Sequence, residues 1–197
     1  MCRETIISVD FLLRGGARMA EDKLEVLFHR NAEDLRVEDI SSLYDIEPST
    51  VRTGDPIWKM VAALIVRPRG RNVYVLDTEE KLIGTISFRD MIRITNARLG
   101  ARRKGVVGLI QYLRDIFRED VDDLMRDPIV VNPYTNLVEA LQKMEELKMN
   151  DMPIVDDDYK LVGELSGMEI LRFAYEDIKR GDKRAAEAKE ALRSQEE

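Results

Sequence analysis

The chain holds a single Cys, Cys2, and a single His, His29. One thiol excludes an internal disulfide, and the two counts together exclude any metal centre built from clustered Cys and His. A reducing, intracellular compartment is the expected setting, with the cytoplasm as the expected localisation. His29 sits in KLEVLFHR, an amphipathic-helix pattern, and reads as a surface or boundary residue rather than a catalyst. Long apolar runs are missing. The longest, Met60 to Val66, has seven residues, whereas a membrane span needs roughly 20. The start, MCRETIISVDFLLRGG, carries Glu4 and Asp10 inside its apolar stretch, which breaks a secretory h-region. The patterns GxxxxGK[ST], GxGxxG and GxSxG are absent, so the common phosphate loops and the nucleophile elbow are excluded. No nucleophile and base can be paired from sequence, and an enzyme is not expected.

What is present is charge and a core. Of 197 residues, 44% are hydrophobic and 35% are Asp, Glu, Lys or Arg. That composition supports one compact domain or two small ones and rules out wholesale disorder. The formal net charge is −7, from 38 acids against 31 bases. An acidic chain is a poor non-specific ligand for nucleic acid.

The informative feature is an internal repeat. Pro48-Ser-Thr-Val51 matches Pro128-Ile-Val-Val131, each an extended segment followed by a polar turn. Apolar-periodic helices follow, IWKMVAALIVR at 57–67 and LVEALQKMEELK at 137–148. Thr53 and Thr135 stand at the expected helix N-caps. Next come paired strands: Asn72–Asp77 with Met152–Asp156, then Leu82–Ile86 with Leu161–Leu165, joined by the acidic turns DTEEK and DDDYK. A second helix closes each unit, from about Phe88 to Ala97 and from about Met168 to Ile178. The copies are offset by 80 residues up to the hairpin and 79 after it, and the difference is expected in the turn. Gly84 matches Gly163, Ser87 matches Ser166, Asp90 matches Glu169 and Arg93 matches Arg172. The lead-ins match too, Val37-Glu-Asp-Ile against Val121-Asp-Asp-Leu. Each βαββα unit is too small to bury a good core alone, so the two are expected to pack about a pseudo-two-fold axis in an α+β fold.

The expected organisation is an N-terminal extension at 1–36, partly an amphipathic helix, and a first unit at 37–98. An inter-unit helical segment follows at 99–120, then a second unit at 121–176 and a charged tail at 177–197 that breaks at Gly181.

These motifs resemble a tandem pair of CBS domains (a Bateman module), as found in stand-alone CBS-domain proteins. The resemblance rests on V-x-D-[IL], P-x-x-V, the P-I-V-D-type strand and the closing Gly84-Thr-Ile-Ser87-Phe-Arg-Asp90 and Gly163-Glu-Leu-Ser166-Gly-Met-Glu169. It covers about residues 37–97 and 121–175. It implies a regulatory module that binds an adenine nucleotide (AMP, ADP or ATP) between the units without turnover and with no cofactor. It also implies a homodimer formed through helical faces, with an unidentified protein partner reading the bound state. The implied site follows the chemistry of the ligand. Val51 and Val73 would line an apolar slot for adenine. Asp90 would accept from the ribose hydroxyls with Ser87 one turn earlier, and Arg71 would meet phosphate. In the second copy Val131, Pro153, Ser166 and Glu169 are the counterparts. There Glu169 replaces Asp, and Asp151 stands in place of Arg71 and repels a phosphate, so that cleft is expected to be weaker.

Plainer readings stand beside these. Asp90 and Glu169 cap helices equally well, and Ser87 and Ser166 suit N-caps. The Arg67, Arg69 and Arg71 turn and Arg102-Arg103-Lys104 suit solvated loops. Trp58 suits core or a dimer interface, and Met60, Met144 and Met149 suit core filling. Two other functions fit the same chain: a dimerisation scaffold with empty clefts, and a nucleic-acid-binding regulator using the Arg-rich turns.

Overall fold

The computed structural model of the chain describes residues 17–44, 47–66, 71–98 and 106–193, with backbone alone at 17–22, 32, 97–98 and 182–193. The order is α1 (Ala17–Phe28), α2 (Val37–Tyr44), β1 (Thr50–Arg52), α3 (Ile57–Val66), β2 (Asn72–Leu76), β3 (Leu82–Ser87), α4 (Phe88–Arg98) and α5 (Val106–Ile116). It continues with α6 (Leu137–Leu147), β4 (Asp151–Val155), β5 (Leu161–Ser166) and α7 (Gly167–Arg193), with short 3-10 turns at Ala32–Asp34 and Val121–Asp123. The fold is α+β, and the αββα order that follows β1 recurs along the chain.

In the first unit β1 runs parallel to β2, and β2 antiparallel to β3. In the second, β4 and β5 are antiparallel, and the counterpart of β1 shrinks to one parallel bridge between Val131 and Ile154. Val131 holds that bridge through its own N–H to Pro153 O and the Val155 N–H to its carbonyl. The β-branched pattern at Ile129–Val131 therefore gives a shorter strand than expected.

Strand register corrects the alignment of the copies. Asn72 lies opposite Ser87 and Asp151 opposite Ser166. Asn72 thus corresponds to Asp151, Val73 to Met152, and Tyr74 to Pro153. The hairpin turns are alike in length. In each, an Asp side chain (Asp77, Asp156) accepts from the N–H two and four residues on. Glu80 and Tyr159 take positive φ at the same place, 66° and 65°. The one-residue difference falls between the first helix and the second strand, because side-chain alternation forbids it inside a paired strand.

Two expected caps move as well. Asn136, not Thr135, caps α6, its side chain accepting from Val138 N–H and Glu139 N–H. Thr135 instead accepts from Asn132 N–H in the turn before. The Thr53 hydroxyl donates to Asp122 Oδ2 at 2.9 Å rather than capping α3. Helix α7 does not break at Gly181 but runs on to Arg193. Gly lowers helix stability by about 1 kcal/mol relative to Ala, and the flanking Lys, Arg, Ala and Glu residues are strong helix formers.

Each unit has its own core, and each core borrows from the other copy. Val51, Ile57, Met60, Val73, Val75, Ile86 and Met91 pack with Ile116, just before the second copy, and with Val121 and Leu124 of its lead-in. Leu137, Ala140, Met144, Met152, Ile154 and Leu165 pack with Leu27 and Leu35, before the first copy, and with Val37 and Ile40 of its lead-in. The lead-ins are thus exchanged. The exchange is fixed by backbone bonds from Val37 N–H to Thr135 O and Glu38 N–H to Pro133 O, and from Val121 N–H to Asp55 O. A third cluster, Tyr74, Leu76, Leu82 and Val155, joins the two units. Helix α1 lies on the second core, with Phe28 stacked on Phe173 at 5.0 Å. Helix α5 lies on the first, with Ile116 buried and the Tyr112 hydroxyl donating to Thr95 O.

Candidate functional site

The first candidate site forms where β3 passes into α4. Ser87 caps the helix and Asp90 is its third residue, a reciprocal capping box. The Asp90 N–H donates to Ser87 Oγ at 3.2 Å, and the Ser87 N–H donates back to Asp90 Oδ2 at 3.1 Å. The Ser87 hydroxyl also donates to Oδ2, at 2.6 Å. One carboxylate oxygen is therefore consumed by the helix terminus. The other, Oδ1, meets two guanidinium groups: Arg126 donates to it, and Arg93 lies 3.5 Å away. Asp90 is 2% exposed, yet the side chains of Arg126 and Arg93 are 55% and 62% exposed. The carboxylate is thus buried behind a solvent-facing cationic cover.

Arg126 reaches this point because its segment pairs with β3. Thr85 and Arg126 exchange two backbone hydrogen bonds of 2.9 and 3.0 Å. The close approach requires Gly84. A Cβ there would lie 2.5 Å from Met125 Sδ and 2.8 Å from its Cβ.

The remaining first-copy residues lie on β1, on β2 or just before β2. Val51, at the middle of β1, and Val73 are 6% and 0% exposed and belong to the first core. Arg71 is exposed, and its carbonyl accepts the Phe88 N–H at the start of α4. Its side chain borders an apolar groove of about 760 Å³ between α3, α4 and α5, lined by Val61, Leu64, Ile65, Phe88, Ile92 and Phe117 among others. Neither Ser87 nor Asp90 lines that groove. Arg67, Arg69 and Arg102-Arg103-Lys104 lie outside the described residues.

The second candidate site repeats the backbone and changes the chemistry. At the β5–α7 junction, Glu169 Oε2 accepts from Ser166 N–H at 3.1 Å, and the Ser166 hydroxyl accepts from Met168 N–H. That hydroxyl donates to Asp151 Oδ1 at 2.7 Å rather than to Glu169. Glu169 is 4% exposed, and its Oε1 is buried with no hydrogen-bond partner among the described residues. Arg172, the counterpart of Arg93, lies over the Tyr44 ring, 4.6 Å from its centroid, and its charge opposes the rise of Glu169. Burial pushes the Tyr44 hydroxyl up to about 12, with Arg172 opposing. Val131 is 4% exposed and joins the second core with Met152. Pro153 lies one residue out of step with Val73, so Met152 fills that place and Pro153 follows Tyr74.

Beside this junction the acids accumulate. Glu164 sits opposite Pro153 on β5 and accepts from the Tyr74 hydroxyl of the first unit at 2.6 Å. Burial pushes Glu164 up to about 7, against the hydrogen bond from Tyr74 and with help from Asp151. Burial also pushes Glu169 up to about 7, against the Ser166 N–H and with help from Glu164 and Asp151. Among the described residues no group of three or more His, Cys, Asp or Glu is placed to hold a metal ion. No described helix is long and apolar enough to cross a membrane.

The sequence motifs locate Ser87, Asp90, Ser166 and Glu169 but not Arg126. Aligning the lead-ins from Val37 and Val121 pairs Arg126 with Ser42. A residue that differs between copies carries no repeat signal, and its partner Asp90 lies 36 residues earlier.

Paired junctions with buried carboxylates, related by an internal repeat, define a two-unit α+β module with exchanged lead-ins. Residues 120–176 match the CBS domain family model. A CBS-domain-containing protein from Thermotoga maritima superposes with a TM-score of 0.57 at 27% identity, over 70% of this chain and 92% of that one. CBSX2 of Arabidopsis thaliana, solved in complex with AMP, gives 0.55 at 25% identity, over 73% of this chain and 98% of that one. The chloroplastic CBS domain-containing protein CBSX1 of the same plant is 28% identical over 135 residues, 62% of this chain. The match spans 57% of the length of CBSX1. The second unit thus matches the CBS domain, and the chain as a whole has the fold of CBS-domain pair proteins.

Proposed function

We propose that this CBS pair is a non-catalytic sensor that binds an adenine nucleotide at the Asp90 cleft and turns nothing over. The observation that carries the reading is the Asp90 carboxylate. It is buried and held at a helix start by Ser87, with a single oxygen left to an outside partner. Such an oxygen accepts from ribose hydroxyls, and the arginines beside it suit phosphate. The AMP complex of CBSX2 supports the same ligand class. Val51 and Val73 back the cleft, and Arg71 flanks it. AMP, ADP and ATP remain the candidates. The second cleft, with Val131, Pro153, Ser166 and Glu169 around it, is the weaker nucleotide site because Asp151 repels phosphate, joined by Glu164 and Glu169 as they ionise above about pH 7.

The test is a thermal-shift panel of AMP, ADP and ATP on the wild type and Asp90→Ala. A ligand at a hundredfold excess over its Kd stabilises the native state by about 2.7 kcal/mol. The expected result is a shift with at least one nucleotide that vanishes in Asp90→Ala. No shift at millimolar nucleotide overturns the sensor reading and leaves the empty scaffold.

A homodimer through the helical faces is part of this proposal. Ile65 and Val66 on α3, Phe88 and Ile92 on α4, and Met168, Leu171 and Tyr175 on α7 are all more than half exposed or at half exposure. Trp58, 52% exposed, is not core and belongs with them. Apolar side chains on this scale mark an interaction surface. A partner that reads the dimer, and a cytoplasmic setting in which one Cys needs no oxidising compartment, complete the proposal.

A further inference from the structure

We propose that Arg126 is the residue that makes the Asp90 cleft select nucleotides over nucleosides. This inference rests on the adenine-nucleotide reading of that cleft and adds a specificity-determining residue to it. Asp90 has one oxygen to offer, since Oδ2 is held by the Ser87 N–H and hydroxyl. The other, Oδ1, is bonded to Arg126. A ribose that takes Oδ1 must therefore displace the guanidinium. A ligand without a phosphate offers that cation nothing in return. A nucleoside monophosphate brings a replacement anion on the same molecule, so the exchange conserves charge-assisted hydrogen bonds.

The geometry allows the exchange. The Arg126 side chain is 55% exposed while its carboxylate partner is 3% exposed, so the arginine is the member free to move. Its backbone is not: the two hydrogen bonds with Thr85 and the contact of Met125 on Gly84 hold the segment against β3. The guanidinium accordingly swings from a fixed point beside the cleft. Arg93 contributes a second cation at 3.5 Å but stays on the same helix as Asp90. Only Arg126 comes from the lead-in to the other unit, so its transfer to the ligand also reports occupancy across the module. The second cleft lacks this device, since Glu169 Oε1 has no partner there and the nearby Arg172 lies on Tyr44.

The test is calorimetric titration of AMP and adenosine into the wild type, Arg126→Ala, Arg126→Met and Arg126→Lys, with a thermal melt of each to confirm folding. Loss of a charge-assisted hydrogen bond and release of Asp90 predict that the AMP-over-adenosine preference falls about tenfold or more in Arg126→Ala. Affinity for AMP falls while affinity for adenosine rises. Arg126→Met, which keeps the aliphatic stem, behaves as Arg126→Ala, and Arg126→Lys retains most of the preference. A purely structural arginine weakens both ligands together and leaves their ratio unchanged, and that result overturns the inference while sparing the sensor reading. Arg126→Lys behaving as Arg126→Ala also overturns it. If the wild type binds none of AMP, ADP and ATP in the thermal-shift panel, both readings fall.

Discussion

Replacing Glu164 with Gln should make the protein more stable at alkaline pH, although it removes a hydrogen-bonded carboxylate. Glu164 is 7% exposed and is raised from 4.5 to about 7, chiefly by burial. The folded state therefore binds its proton more tightly than the unfolded chain does. Its contribution to stability is fully present below pH 4.5 and is lost as pH rises through about 7. At about 1.4 kcal/mol per tenfold change in proton affinity, the loss by pH 8 is about 3 kcal/mol. Gln keeps an acceptor for the Tyr74 hydroxyl and carries no charge. The measurement is urea unfolding of wild type and Glu164→Gln at pH 5, 6, 7 and 8. The expected difference between them grows with pH by about 3 kcal/mol, in favour of the variant. Asp55 is held below its usual range despite burial, by Lys59 and the Arg52 N–H. Its contribution to stability is lost only as pH falls below about 3.8, outside this range, and it is common to both proteins. A difference that stays flat from pH 5 to 8 refutes the argument, for Glu164 would then be ionised and well solvated throughout.

Gly84→Ala places a methyl group 2.8 Å from Met125 Cβ and should lower stability by about 1–3 kcal/mol in a thermal melt; Met125→Ala keeps that Cβ and should restore only part of the loss. The apolar faces of α3, α4 and α7 should hold two copies together in sedimentation velocity, and Phe88→Asp with Leu171→Asp should shift the protein to monomer. A dimer indifferent to both charges would place the interface elsewhere.

Much of the fold is legible because local pattern and tertiary packing agree. The apolar spacing of Ile57, Met60 and Leu64 and of Leu137, Ala140 and Met144 fixed two helices that the structure contains. The Asp77 and Asp156 turns placed both hairpins. The misses share a different cause. The slip between Val73 and Pro153 arose because apolar strand residues align almost equally well one position over, and only cross-strand pairing decides. Asn136 overrode Thr135 as a cap because the backbone, not the residue type, chooses which side chain faces the free N–H groups. Asp90 was legible through its spacing from Ser87. Arg126 was not, since the pairing of its segment with β3 is a tertiary event that no local period encodes.

The exchanged lead-ins make the repeat in the sequence a different object from the unit that folds. Residues 37–44 roof the half that starts some ninety residues later, and residues 116–124 roof the half that has just ended. Cutting the chain between Arg98 and Val106 would yield two fragments, each carrying the roof of the other. Neither is a complete half alone, and their lowest-energy arrangement is to find one another again. The same exchange offers a route to intertwined assemblies, because a lead-in that closes over a neighbouring copy makes identical contacts.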